Sequence, residues 1–371
     1  MRSLLLLAVC LLGSSSVLAQ APAPEPVVSP EIAADHTVTF RIAANEAKKV
    51  ELQSGGDIPQ IPVRSPLPMA RNAKGVWELA LKLDPGAYRY SFVVDGVRVL
   101  DPGSPWMSES NDSAWSWLHV NGAAWMDANN LPHGALSEIT YQSSVVGGPR
   151  RMHVYTPPGF GMGNQRYPVL YLLHGAMDSD DSWGTVGRAS FILDNLIASG
   201  AAKAMIVVMP RGHTGPANRG ATAQKLPDFV AEFQKDIKPY IESHYPLAGG
   251  RANTAIAGLS MGGQQTLDIA MGNLGDFGWI GVYSSGVFSI ATNNDWETAH
   301  LAALDNANLK KELKLVWFST GKDDFLLETT RSTVGMLKKH NFNVNYNEST
   351  GGHTWINWRD YLHTFAPQLF K

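Results

Sequence analysis

Cysteine is nearly absent from this chain: Cys10 is the one copy in 371 residues. A framework of structural disulfides and a thiolate metal site are therefore excluded. Nor is there a surplus of positive charge, with 30 basic against 33 acidic side chains and a formal charge of −3. That balance speaks against a protein built to grip phosphates and leaves nucleic acid out as the main partner. Beyond the first twenty residues no stretch approaches the roughly 18 apolar residues that a membrane span requires. Repeats of solenoid or propeller length are missing. The eleven histidines are scattered without a zinc-type spacing, so neither a metal nor an organic cofactor is expected. What the chain does have is 44% hydrophobic and 17% charged residues, the balance of a folded globular protein, and 35 glycines, as in chains rich in tight turns and close backbone approaches.

The first residues read as an export signal over 1–19. Arg2 supplies the positive start, residues 4–12 are an apolar core too short to span a bilayer, and Val17-Leu18-Ala19 offers the small-residue cleavage pattern. Leu7-Ala8-Val9-Cys10 is a poor lipoprotein box, because valine is ill suited to precede a lipidated cysteine. Cleavage after Ala19 would remove Arg2 and Cys10, leaving a secreted or periplasmic protein without cysteine and without a membrane partner. Residues 20–35 hold the proline-rich APAPEPVVSP and read as an extended leader.

Over 36–125 the pattern is one of short alternating strands. Residues 37–42 and 76–81 alternate, Asp84-Pro85-Gly86 turns into 88–94, and Asp95-Gly96 is a hairpin turn into Val97-Arg98-Val99. No helical period of useful length interrupts them, so a small all-β sandwich is expected. The stretch LDPGAYRYSFVVDG at 83–96, followed by Asp101-Pro102, resembles a family-48 carbohydrate-binding module. That resemblance implies either sugar binding, with Trp77, Trp106, Trp115, Trp117 and Trp125 as stacking platforms, or packing of the module against the next domain.

From 126 to 371 the grammar changes to strands apolar on both faces alternating with helices. Residues 152–155, 167–173, 204–209, 254–257, 280–283, 315–318 and 344–346 read as strands, and 192–198 and 229–244 as helices. Such alternation predicts a mostly parallel sheet covered on both faces. Within it, Gly258-Leu259-Ser260-Met261-Gly262 sits between a buried strand and a helix. A G-x-S-x-G turn in that context is the nucleophile elbow of the α/β-hydrolase fold. Serine needs a base, and the base an orienting acid, in the chain order Ser, Asp or Glu, His. Among His300, His340, His353 and His363, only His353 occupies a loop between a strand and the final helix, in Thr350-Gly351-Gly352-His353-Thr354-Trp355. The acid is expected just past the strand at 315–318, where Asp323 and Asp324 are adjacent; Asp324 is preferred and Asp323 stays open. The oxyanion hole needs two backbone N–H donors. Met261 after the serine supplies one, and Ala176, or alternatively Met177, supplies the other. His174 reads as a loop-shaping residue.

Val154-Tyr155-Thr156-Pro157-Pro158-Gly159, Leu172-Leu173-His174-Gly175, Gly258-Leu259-Ser260-Met261-Gly262-Gly263, Gly321-Lys322-Asp323-Asp324 and Gly351-Gly352-His353-Thr354-Trp355 occur in this order. Together they resemble carbohydrate esterase family 1, the esterase-D-like group of feruloyl and acetylxylan esterases and the related enterochelin esterases. The resemblance spans about 132–370. It implies Ser260 as nucleophile, His353 as base and then acid, Asp324 as orienting acid, and an acylated plant cell-wall polysaccharide or oligosaccharide as substrate. Trp183, Trp355 and Met261 are expected along an aromatic acyl pocket. Ferulate is the first expectation for the acyl group. The alternatives are acetate, a siderophore trilactone, acyl transfer instead of hydrolysis, and a polysaccharide-binding protein with an idle hydrolase domain.

Overall fold

The computed structural model describes residues 26–111, 113–215, 226–293 and 295–371. The expected export signal, 1–19, and the leader as far as residue 25 lie outside the described residues. Among those described, no helix is long and apolar enough to cross a membrane.

The N-terminal unit contains ten short strands: β1 (Glu31–Ile32), β2 (Thr37–Ala43), β3 (Val50–Gln53), β4 (Leu67–Pro68), β5 (Ala70–Arg71), β6 (Val76–Lys82), β7 (Gly86–Val94), β8 (Val97–Val99), β9 (Met107–Glu109) and β10 (Ala114–Val120). They form two sheets, ordered β1-β2-β6-β5 and β4-β3-β7-β10-β9, with β8 paired to β7. The alternation of β2 explains its placement, since Val38, Phe40 and Ile42 are buried while their neighbours are not. These side chains meet Leu52, Tyr90, Phe92, Leu118 and Val120 in one core. Phe40 and Tyr90 make an edge-on contact at 4.8 Å. The β7–β8 hairpin turns at Asp95 and Gly96, both at positive φ (45° and 85°), as a two-residue hairpin requires.

Strand β7 differs from its neighbours in being buried on both faces over its first seven residues. Tyr88, Tyr90 and Phe92 point into the N-terminal core. Ala87, on the opposite face, belongs to the core of the second unit, which comes after it in the chain.

That second unit is built on one sheet of eight strands: β11 (Ala135–Ser143), β12 (Gly148–Thr156), β13 (Val169–Leu173), β14 (Ile206–Pro210), β15 (Thr254–Leu259), β16 (Trp279–Tyr283), β17 (Leu315–Gly321) and β18 (Val344–Ser349), in the order β11-β12-β14-β13-β15-β16-β17-β18. β13 to β18 pair in parallel, and the β11–β12 hairpin joins antiparallel at one edge. Strands β13 to β16 are buried at every residue. One face packs on Phe229, Phe233, Leu267 and Leu337, the other on Leu193, Leu196, Leu362 and Phe365. β11 has no counterpart among the expected strands. Its sequence ALSEITYQS is mostly exposed, with Tyr141 and Ser143 buried, and an edge strand covered on one face over part of its length carries no continuous apolar run.

Candidate active site

Strand β15 ends at Leu259 in the middle of the sheet, and the helix Met261–Gly272 begins at the second residue on. Ser260, between them, takes φ 50° and ψ −119°, a conformation that side chains with a Cβ adopt only when their surroundings enforce it. The flanking glycines allow the approach. A Cβ on Gly258 would lie 2.2 Å from the Gly262 carbonyl oxygen, one on Gly262 would lie 2.6 Å from that of His174, and one on Gly263 would lie 2.4 Å from Ser285 Cβ. Ser260 N–H donates to the Tyr283 carbonyl at 2.9 Å, and Ser285 Oγ donates to the Ser260 carbonyl at 2.5 Å. The turn is thus held from below, and Ser260 remains half-exposed at the carboxyl end of the sheet.

β17 and β18, two and three strands to the side, deliver an acid and an imidazole to that same edge. His353 Nδ1 is 3.0 Å from each oxygen of Asp324. Donating from Nδ1 leaves Nε2 with its lone pair free to accept a proton. Burial pushes the Asp324 carboxyl up, but the hydrogen bond and charge of His353, the Leu326 N–H at 2.8 Å and the nearby Ser284 outweigh it and hold the group below its ordinary value. Asp323 is exposed, and its N–H donates to the Gly351 carbonyl. Of the two adjacent aspartates, then, Asp324 is the one brought to His353. The histidine loop turns at Gly351, φ 81°, beside Asn357, whose Nδ2 donates to the Thr350 carbonyl at 2.7 Å.

After β13 the chain makes a tight turn from Gly175 to Asp178, closed by Asp178 N–H on the Gly175 carbonyl at 3.1 Å. A Cβ on Gly175 would lie 3.4 Å from Ser260 Cβ, so the turn begins beside the serine, with Ala176 as its next residue. Met261 opens the helix on the other side, and its N–H lies at the positive end of the helix dipole. His174 shapes the turn: its Nδ1 faces the Gly175 carbonyl at 2.8 Å and its Nε2 accepts the Gly212 N–H at 2.9 Å. Burial pulls its pKa down to about 4, so the ring is neutral with both nitrogens engaged. His340 and His363 lie elsewhere, the first between Glu297 and Asp305, the second against Trp125.

Trp183 and Trp355 correct the expectation of an aromatic acyl pocket. They are 1% and 0% exposed and pack edge-on against each other at 5.0 Å. Trp183 Nε1 donates to the Leu173 carbonyl and Trp355 Nε1 to Asp178 Oδ1. They are floor, not lining, because large aromatics next to sheet-edge loops are drawn into the core beneath them. The apolar groups exposed around the site are others: Met177 at 70%, Phe325 at 76% and Phe288 at 42%. Phe325 lies 4.4 Å from the His353 ring. Phe288 N–H donates to Gln264 Oε1, one helical turn from the serine. Their positions, directly after Ala176 and Asp324 and three past Ser285, were readable; their exposure was not.

A half-exposed elbow serine, a free imidazole nitrogen backed by a buried carboxylate, and backbone donors on either side can open an ester through an acyl intermediate. The sheet order, with the elbow at its centre, is that of the α/β-hydrolase-fold carboxylic-ester hydrolases. The chain belongs to the esterase family described as "Putative esterase", which it matches over residues 143–369. It is 30% identical, over 358 residues and 92% of its length, to an endo-1,4-beta-xylanase/feruloyl esterase of Xylanibacter ruminicola; it spans 46% of that relative. It is 25% identical to an acetyl esterase of Caldicellulosiruptor saccharolyticus over 227 residues, 54% of this chain and 82% of that one. Among solved structures, the enterobactin esterase of Shigella flexneri shares the fold over 89% of this chain and 92% of its own, with a TM-score of 0.62 at 19% identity.

Proposed function

We propose that this chain is a serine esterase of the carbohydrate esterase family 1 type that removes acyl groups, feruloyl foremost, from xylan-type polysaccharides outside the cytoplasm. The observation that carries the reading is the His353–Asp324 pair at the same sheet edge as the Ser260 elbow. The feruloyl choice draws support from the similarity to the Xylanibacter relative along nearly the whole chain, and from the exposed Met177, Phe288 and Phe325. Those side chains suit an aromatic acyl group better than a two-carbon one.

In this mechanism Ser260 Oγ attacks the ester carbonyl carbon while its proton passes to His353 Nε2. The carbonyl oxygen becomes an oxyanion, held by the N–H groups of Ala176 and Met261. The C–O bond to the sugar then breaks, and the sugar oxygen leaves with the proton from His353. Water, deprotonated by the same nitrogen, attacks the acyl-enzyme and releases the acid, returning the proton to Ser260. Asp324 holds the imidazole in the productive tautomer throughout. Ahead of this esterase domain, 126–371, the reading sets an export signal over 1–19, a leader over 20–35 whose end joins the first sheet as β1, and a family-48-like carbohydrate-binding sandwich over 36–125. The two sheets around a shared core support that last assignment.

The test is one incubation with feruloylated arabinoxylan and acetylated xylan together, quantifying ferulate and acetate, with Ser260→Ala as control. Ferulate is expected to dominate, and the control to lose turnover by at least about 10⁴-fold. Acetate in excess would move the protein to the acetylxylan esterases. Neither product above the control would redirect the search to siderophore trilactones and to acyl transfer.

A further inference from the structure

Arg89 is carried by β7 of the N-terminal unit, on the face turned toward the esterase fold, and is 4% exposed. Its Nε donates to Asp57 Oδ2 and its Nη1 to Asp178 Oδ1, both at 2.8 Å. Asp57 lies in the N-terminal unit. Asp178 closes the Gly175–Asp178 turn, the segment whose Ala176 N–H is the expected oxyanion donor. The same oxygen, Asp178 Oδ1, accepts from Trp355 Nε1 at 3.2 Å, and Trp355 is two residues past His353. One buried carboxylate therefore touches both loops that flank the serine, and its counter-charge comes from the other unit.

The chain after the turn is fastened in the same direction. Glu109 N–H donates to Asp181 Oδ2 at 2.8 Å, and Ser108 Oγ meets Thr185 Oγ1 at 2.7 Å. Arg359 Nη1 bonds the carbonyls of Ala87 and Val186 at 3.0 and 2.9 Å. These contacts are buried or partly buried, where hydrogen bonds to charged groups hold geometry most firmly. Burial opposes the Arg89 charge, but the two carboxylates outweigh it and keep the guanidinium ionised.

We propose that Arg89 is a positioning residue of the ester-hydrolysing site: through Asp178 it sets the oxyanion turn against Ser260, so the N-terminal unit is required for turnover of any ester, glycan-linked or not. This rests on the reading of Ser260 as nucleophile. It assigns the N-terminal unit a task distinct from sugar binding, one that a small soluble substrate exposes.

The test uses the full chain with methyl ferulate and no polysaccharide present. Arg89→Lys keeps the buried charge but cannot fork to both carboxylates. The double variant Arg89→Met/Asp57→Asn removes the fork and leaves one fewer uncompensated charge. Competent sites are counted by exhaustive labelling with a fluorophosphonate, and the initial labelling rate is recorded separately. We expect kcat per labelled site to fall on the order of 10²-fold in the double variant, as for a misplacement of about 1 Å, and by less in Arg89→Lys. KM should stay within about 3-fold, and the labelling rate should fall in parallel with kcat. Per-site kcat and labelling rate within about 2-fold of the parent, whatever the loss of thermal stability, would overturn the proposal and leave Arg89 as structural support. Arg89→Lys decides the matter alone if the double variant does not fold. Parent-level turnover in Ser260→Ala would instead sink the nucleophile assignment itself, and so separates the two failures.

Discussion

The two flanks of Ser260 are built on opposite plans. On one side the Gly175–Asp178 turn and the histidine loop are tied through Asp178 to Arg89, with the bonds of Glu109, Ser108 and Arg359 behind them, and within the turn Met177 is the side chain that reaches far into water. On the other side Phe288 and Phe325 stand largely in solvent, Phe325 against the His353 ring. In the proposed mechanism charge develops near the first flank, and a fixed dipole is worth most where it need not reorganise. The same proposal puts the acyl group near the second, where exposed apolar surface adapts at little cost to the fold. Geometry is fixed by buried polar contacts, and selectivity is left to exposed apolar ones.

The largest effect expected separates the reacting centre from both flanks. His353→Ala and Asp324→Asn should each lower kcat by about 10³–10⁴-fold or more on any ester, while Asp323→Ala, one residue away and exposed, should leave kcat within about 2-fold. Equal losses at the two aspartates in steady-state assays would contradict the pairing seen at His353.

Breaking the tied flank should be felt first in stability. Asp178→Ala leaves Arg89 with Asp57 alone, frees its Nη1 and removes the acceptor of Trp355, and a buried donor left without its partner costs about 1–3 kcal/mol. Chemical denaturation should record that loss, and an unchanged midpoint would mean that the pair contributes nothing. On the open flank the order reverses. Phe325→Ala should leave the melting temperature unchanged and lower kcat/KM for feruloyl esters by about 10-fold relative to acetyl esters, the worth of a modest apolar contact. Equal loss on both substrates would place Phe325 in support of His353 and not in acyl selection.

The smallest effect sharpens the comparison through pH. Burial pushes the Asp181 carboxyl, at the tied flank, from 3.8 up to about 6, against the bonds from Glu109 N–H and Ser179. A raised folded pKa means that the folded state holds the proton longer, so its stabilising contribution is full below pH 3.8 and is lost as pH rises through about 6. Asp324 has the opposite sign: its lowered folded pKa adds stability above pH 3.8 that disappears as pH falls. Asp181→Asn should therefore melt higher than the parent at pH 7, by a few degrees, with the difference vanishing near pH 4. A difference independent of pH would remove the titration from the account.

Much of this was legible beforehand, and the reason is local. The strands of the central sheet are continuous apolar runs because both faces are covered, and the elbow announces itself because Gly258, Gly262 and Gly263 meet their neighbours too closely for a Cβ. His353 was singled out by its loop between strand and final helix. β11 escaped because an exposed edge strand lacks the apolar signal. Trp183 and Trp355 were misread because sequence neighbours of a site look alike whether they face the cleft or the core.

The sequence by itself determined the alternation of elements, the strained serine turn and the candidate partners, since each is encoded within a few residues by period, glycine and charge. Only the tertiary structure brought Asp324 and not Asp323 to His353, buried the two tryptophans, and joined Arg89 to Asp178 across 89 residues of chain. A strand's period of two says that Arg89 faces away from Tyr88 and Tyr90. The partner on that other face is a property of how two units pack, and no local pattern carries it.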